Sequence, residues 1–81
     1  MEDLVRTIVE PMISNKDALM IKTVPAVENE PAEIIVITDK EDTARLIGKG
    51  GSVANAIRKV VSVKSRLNNT HVRVKFESYD E

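Results

Sequence analysis

Apolar residues recur early at helical spacing. Leu4, Val5, Ile8 and Val9 fall on one stripe, which predicts an amphipathic helix over residues 2–10. Pro11 should end it, because proline lacks an N–H and disfavours helical geometry in the residue before it. Ser14-Asn15-Lys16-Asp17 reads as a turn, and ALMIKTV at 18–24 as a strand. PAVENEPAE at 25–33, with two prolines and three glutamates, reads as a solvated loop. EIIVIT at 33–38 is β-branched and nearly continuous, the pattern of a central strand. Asp39 can cap a helix over 40–47 whose inner face would be Ala44 and Ile47, with Thr43 at its edge. A longer helix runs from 52 to about 66, with Val53, Ala54, Ile57, Val60 and Val61 in register, until Asn68-Asn69 breaks it. THVRVKFES at 70–78 alternates Val72, Val74 and Phe76 with Arg73 and Lys75, a half-exposed strand.

The predicted order is α-β-β-α-α-β. Three strands with helices on one face make a two-layer α+β fold. The 81 residues leave room for one domain, 1–81, and not for two cores. Without cysteine, disulfides and thiolate metal sites are excluded. No apolar run approaches the roughly 20 residues that cross a bilayer. The start, MEDLVRTIVEPM, lacks the long apolar stretch of a signal peptide, so the expected location is cytoplasmic, away from membranes.

Charge changes the picture more by its distribution than by its sum of −1. Residues 1–39 carry three basic side chains against eight acids, and residues 40–66 carry seven against two. All three glycines, Gly48, Gly50 and Gly51, lie inside that basic stretch, in the turn between the two predicted helices. A turn can need the positive φ that glycine supplies. Three glycines in four residues also leave bare backbone beside a helix N-terminus, where unpaired N–H groups favour an anion. Lys49 adds a cation at the tip, and a phosphate fits all of these features. A nucleotide P-loop does not fit. Aligned on Gly48-Lys49, its first glycine would fall on Thr43 and its hydroxyl on Gly50, and the window follows a helix where a P-loop follows a strand.

Ile47-Gly48-Lys49-Gly50-Gly51, followed by Val53, Ala54 and Ile57, resembles the signature of the KH domain, a Gly-x-x-Gly (GxxG) loop at 48–51 between two helices. The element order is similar to the type II arrangement. Nearly the whole chain, including PMISNKDALMIK, resembles the small bacterial single-KH proteins of the KhpA type. The resemblance implies a type II KH-like fold with a mixed three-stranded sheet, and a loop that clamps the backbone of single-stranded RNA. It implies a post-transcriptional regulator or RNA chaperone, with a role in cell shape through elongation or division. It also implies a homodimer, or a heterodimer with a larger KH protein of the KhpB (Jag/EloR) type. Two positions depart from the family pattern. Ala54 stands where many KH domains have a larger aliphatic residue, and Gly50 leaves the loop with one cation instead of two.

The expected RNA-binding set is Ile47, Gly48, Lys49, Gly50 and Gly51, joined by Arg45, Ser52, Asn55 and Arg58. Arg45 can reach a phosphate or lie on a solvated face. Ser52 can cap the second helix or touch ligand, Asn55 can read a base edge, and Arg58 can attract RNA or simply face water. Stacking platforms of the kind that RRM and cold-shock domains use are not expected, since the only aromatics are Phe76 and Tyr79. His71 is the only histidine and has no matching acid cluster, so neither an enzyme nor a metal or cofactor site is expected. The long helix carries more apolar residues than one packed stripe needs. Val60 and Val63 are the expected surplus, to be covered by the first helix or by a dimer partner. This leaves a second reading, a protein-interaction and dimerisation adaptor with a KH fold.

Overall fold

The computed structural model describes residues 1–79. The elements are α1 (Glu2–Val9), β1 (Met20–Val24), β2 (Ala32–Thr38), α2 (Lys40–Ile47), α3 (Ser52–Leu67) and β3 (Val72–Ser78). Short 3-10 turns lie at Glu10–Met12, Lys16–Ala18 and Lys49–Gly51. The expected α-β-β-α-α-β order and α+β class are therefore observed. Pro11 lies in the first of those turns, directly after α1 ends. The turn at Lys16–Ala18 overlaps the predicted turn at 14–17 and takes in Ala18, the first residue of the predicted strand, so β1 starts at Met20.

The sheet order is β1-β2-β3, with β1–β2 antiparallel and β2–β3 parallel. β2 is thus central, as its apolar run implies. Only one of its faces is covered, however. Ile34, Val36 and Thr38 are buried under the helices, whereas Ile35 and Ile37 are half-buried on the open face. Parallel pairing of β2 with β3 needs a long crossover, and α2, the glycine turn and α3 form it. One cluster of Val5, Val9, Ile13, Ile34, Val36, Leu46, Ile57, Val61 and Val74 fills the space between helices and sheet. Each such branched side chain contributes about 1.5–3 kcal/mol on burial.

α3 is rich in β-branched residues, whose intrinsic helix propensity is low. Its stability comes from packing the stripe Ala54, Ile57, Val61 and Ser65. Its end is well defined. Asn69 takes φ 59°, Thr70 N–H donates to Ser65 O at 2.8 Å, and Asn69 N–H donates to Arg66 O at 3.0 Å. That is a Schellman closure with asparagine in place of glycine.

α2 is rotated relative to the expected inner face. Asp42, Thr43 and Leu46 are buried, while Ala44 and Ile47 are exposed. Polar anchors set this rotation. Thr43 Oγ1 lies 2.5 Å from Thr38 Oγ1, 2.8 Å from Asp39 O and 3.2 Å from Glu77 O, with its one proton directed among these acceptors, which ties the helix to the ends of β2 and β3. Asp39 caps the helix by accepting from Asp42 N–H at 2.9 Å. The buried Asp42 carboxylate accepts the N–H groups of Ser14 and Asn15, each at 2.9 Å, and faces Arg45 at 3.2 Å. A carboxylate in the first turn of α2 thus fastens the α1–β1 connection onto the helix.

The N–H groups of Asn15 and Ser14 hold the Asp42 carboxyl below its ordinary value of 3.8; Arg45 and Lys16 add to this, and burial opposes it. A lowered folded pKa means that the stabilisation is fully present above pH 3.8 and is lost as the pH falls below that value toward the folded pKa. Thermal melts across pH should therefore show Asp42→Asn melting lower than wild type at neutral pH. The gap should narrow only in the acid range; a gap independent of pH would contradict this role.

Candidate nucleic-acid interface

The turn between α2 and α3 has positive φ at all three glycines: 73° at Gly48, 63° at Gly50 and 80° at Gly51. The demand is therefore conformational at each position, and the number of glycines does not by itself imply a ligand. Gly48 is the most constrained. Its ψ of 174° belongs to a region that is essentially glycine-only, and a Cβ there would lie 2.5 Å from Val53 Cγ2. Gly50 is different, because a Cβ would meet nothing within 4 Å. The outer side of the turn is open space.

Gly48 N–H closes α2 on Ala44 O at 2.9 Å, and Gly51 N–H turns back to Gly48 O at 3.1 Å. The N–H groups of Lys49 and Gly50, which open the 3-10 turn, have no backbone acceptor among the described residues. Lys49 is exposed and makes no ion pair among the described residues. The turn thus presents unpaired donors, an unpaired cation and no side-chain bulk at its most open position. Chemically it can accept an anion that approaches from solvent.

The structure separates the other expected residues. Ser52 is the first residue of α3, exposed and without a capping bond; the cap position is Gly51. Ile47 is 37% exposed at the end of α2. Asn55 lies beside the turn, its Nδ2 3.9 Å from where a Gly51 Cβ would be. Arg58, one turn further along α3, donates from Nε to Val74 O on β3 at 3.1 Å and from Nη1 to Asn55 Oδ1 at 3.3 Å. Its guanidinium carbon lies 5.5 Å from the centre of the Phe76 ring. Asn55 and Arg58 therefore form one stripe of α3, continuing from its cap residue Gly51 and facing the free edge of β3. Arg45 is not part of that stripe, because its guanidinium is held by Asp42 and Ser14.

Sequence reasoning missed Val74 O and the ring of Phe76 as parts of this groove. The alternation in 70–78 puts Phe76 on the helix-facing side. That it meets Arg58 depends on β3 pairing parallel to β2, which no local pattern declares. His71 is exposed, and no cluster of three or more potential metal ligands occurs among the described residues. No described helix is long and apolar enough to cross a membrane.

Two helices joined by a glycine turn, packed on a three-stranded mixed sheet with the turn beside an edge-strand groove, define a type II KH domain. A family model described as KhpA/KhpB, KH domain, matches residues 2–76. The RNA-binding protein KhpA of Listeria monocytogenes is 31% identical over 74 residues, covering 91% of this chain and 95% of that protein. The RNA-binding protein KhpA of Streptococcus pneumoniae serotype 4 is 40% identical over 62 residues, covering 74% of this chain and 73% of that protein. The chain belongs to the KhpA/KhpB family of KH domains, which is not an enzyme family.

The glycine geometry yields a graded expectation. Gly48→Ala should cost roughly 2–4 kcal/mol, combining backbone strain with the Val53 clash. Gly50→Ala should cost only about 1–2 kcal/mol, from backbone strain alone. Urea denaturation of both variants checks the order, which reverses if the turn is free to rearrange.

Proposed function

We propose that the chain binds single-stranded RNA as one KH unit, gripping the sugar–phosphate backbone at Gly48, Lys49, Gly50 and Gly51. One observation carries the reading: a turn open at Gly50, with N–H groups and a Lys49 ammonium that have no partner among the described residues, at the start of α3. The names of the relatives support the same ligand class. Phosphate contacts position a strand without reading it. Bases would then lie along Asn55, Arg58 and the β3 edge. Ile47 and Ser52 would flank the strand, and Arg45 would add charge at the α2 end. With a single loop cation and few aromatics, one domain binds weakly. The working site is cytoplasmic RNA, and the biological role is post-transcriptional regulation or RNA chaperoning that bears on cell shape.

A second reading, pairing through α3, is compatible with the first. Ala56, Val60, Val63 and Leu67 line the outer face of α3 at spacings of four, three and four, the seam of a helix pair. α1 does not cover them: Val60 is 51%, Val63 59% and Leu67 76% exposed, and only Leu4 of α1 reaches the cleft beside them. The proposed partner is a second copy, or a larger KH protein of the KhpB type. Pairing would place two weak grooves on one particle and raise effective affinity.

Titration of labelled single-stranded RNA tests the clamp. Lys49→Asp with Gly50→Asp should abolish binding while circular dichroism stays native. The wild type should show a shallow salt slope of roughly −1 to −2, since each single-strand phosphate contact adds about −0.7. Equal binding by the folded double variant would remove the clamp. Val63→Asp should leave the fold intact and convert a dimer to a monomer in light scattering. An unchanged mass would place the pairing surface elsewhere.

A further inference from the structure

The groove beside the clamp holds a guanidinium whose orientation is fixed by three separate contacts. A guanidinium carries five N–H donors. In Arg58, the Nε–H is taken by Val74 O and one Nη1–H by Asn55 Oδ1. The Phe76 ring lies beneath it. Three donors on Nη1 and Nη2 remain, and no described residue accepts them. Asn55 turns its oxygen toward Arg58, which leaves the two Nδ2 donors facing the turn. The side chains of this stripe therefore present a row of hydrogen-bond donors. The β3 carbonyl that faces Arg58, Val74 O, already accepts its Nε–H.

Resting on the RNA reading above, we infer that Arg58 is the specificity-determining residue of the groove and selects a base that presents two adjacent acceptors. Guanine offers N7 and O6 on one edge, and cytosine offers N3 and O2 on its pairing edge. Adenine sets its N6 amino donor beside N7, and uracil sets the N3–H between its two carbonyls. Either arrangement leaves a donor facing the Arg58 fork. The fork is set before RNA arrives, so recognition requires no reordering of a long side chain. Lysine in the same place would keep the charge and lose the two-pronged geometry.

The test uses fluorescein-labelled octamers of uridine, with the two central nucleotides either kept or replaced by guanosine, cytidine or adenosine. Anisotropy titrations at low salt should give wild type a preference of roughly fivefold or more for the guanosine or cytidine octamer over the other two. Which of the two wins identifies the edge that is read. Replacement of the central guanosines by 7-deazaguanosine should erase a guanosine preference. Arg58→Lys, which keeps a cationic stem against Phe76, should compress the ratio to under about twofold, and Arg58→Ala should do the same. Circular dichroism checks the fold of both variants. Equal wild-type affinity for all four octamers, with binding still lost in Lys49→Asp, Gly50→Asp, overturns the inference and leaves the clamp standing. A preference that survives unchanged in both Arg58 variants also overturns it. Binding of none of the octamers overturns inference and clamp together.

Discussion

The chain reverses between α2 and α3 through three residues held at positive φ, and the rest of the site depends on that reversal. L-residues with a Cβ resist this backbone, and at Gly48 the side chain of Val53 closes off the alternative. The same reversal brings the N-terminus of α3 to the surface and aims the Asn55–Arg58 stripe at β3. It also leaves the Lys49 and Gly50 amides without a backbone acceptor among the described residues. A feature required for folding thus creates the unmet donors that a ligand can satisfy. Conformational need and binding capacity are the same geometry viewed from inside and outside.

Polar anchors do the fine positioning around that turn. The hydrophobic cluster would tolerate α2 in several rotations, since a short helix with one large buried side chain, Leu46, is poorly specified by packing alone. Thr43 and Asp42 remove that freedom through bonds to β2, β3 and the Ser14–Asn15 backbone. The orientation of α2 fixes where Gly48 begins, so a carboxylate remote from the groove helps determine its shape.

Much of this was legible in the amino-acid order. Pro11, Asp39 and Asn68-Asn69 punctuate the helices where their chemistry says they should. The run 33–38 identified the central strand, and the glycine window with Lys49 located the turn. Helical phase in 40–47 was not legible. Ala44 and Ile47 look like a core face, and the burial of Asp42 and Thr43 depends on partners 28 and 34 positions away. The strand start moved from 18 to Met20 because local turn bonds took the N–H groups of Ala18 and Leu19. The partnership of Arg58 with Phe76 was hidden because it joins elements related only through the parallel pairing. The surplus on α3 was visible as composition, and its exposure required knowing how little of it α1 covers.

The parallel pairing also carries a consequence for biosynthesis. β1 and β2 form a local hairpin, but Ala32 meets Val72 only across the entire crossover. A chain emerging from the ribosome N-terminus first can close its hairpin early, and its groove lacks a wall until the last strand is released. Until then the glycine turn hangs beside a half-built sheet, with Arg58 deprived of its carbonyl and its ring. On the proposed reading of Arg58, a polypeptide cut short before β3 would keep the glycine turn and lack the carbonyl and ring that hold the guanidinium in place.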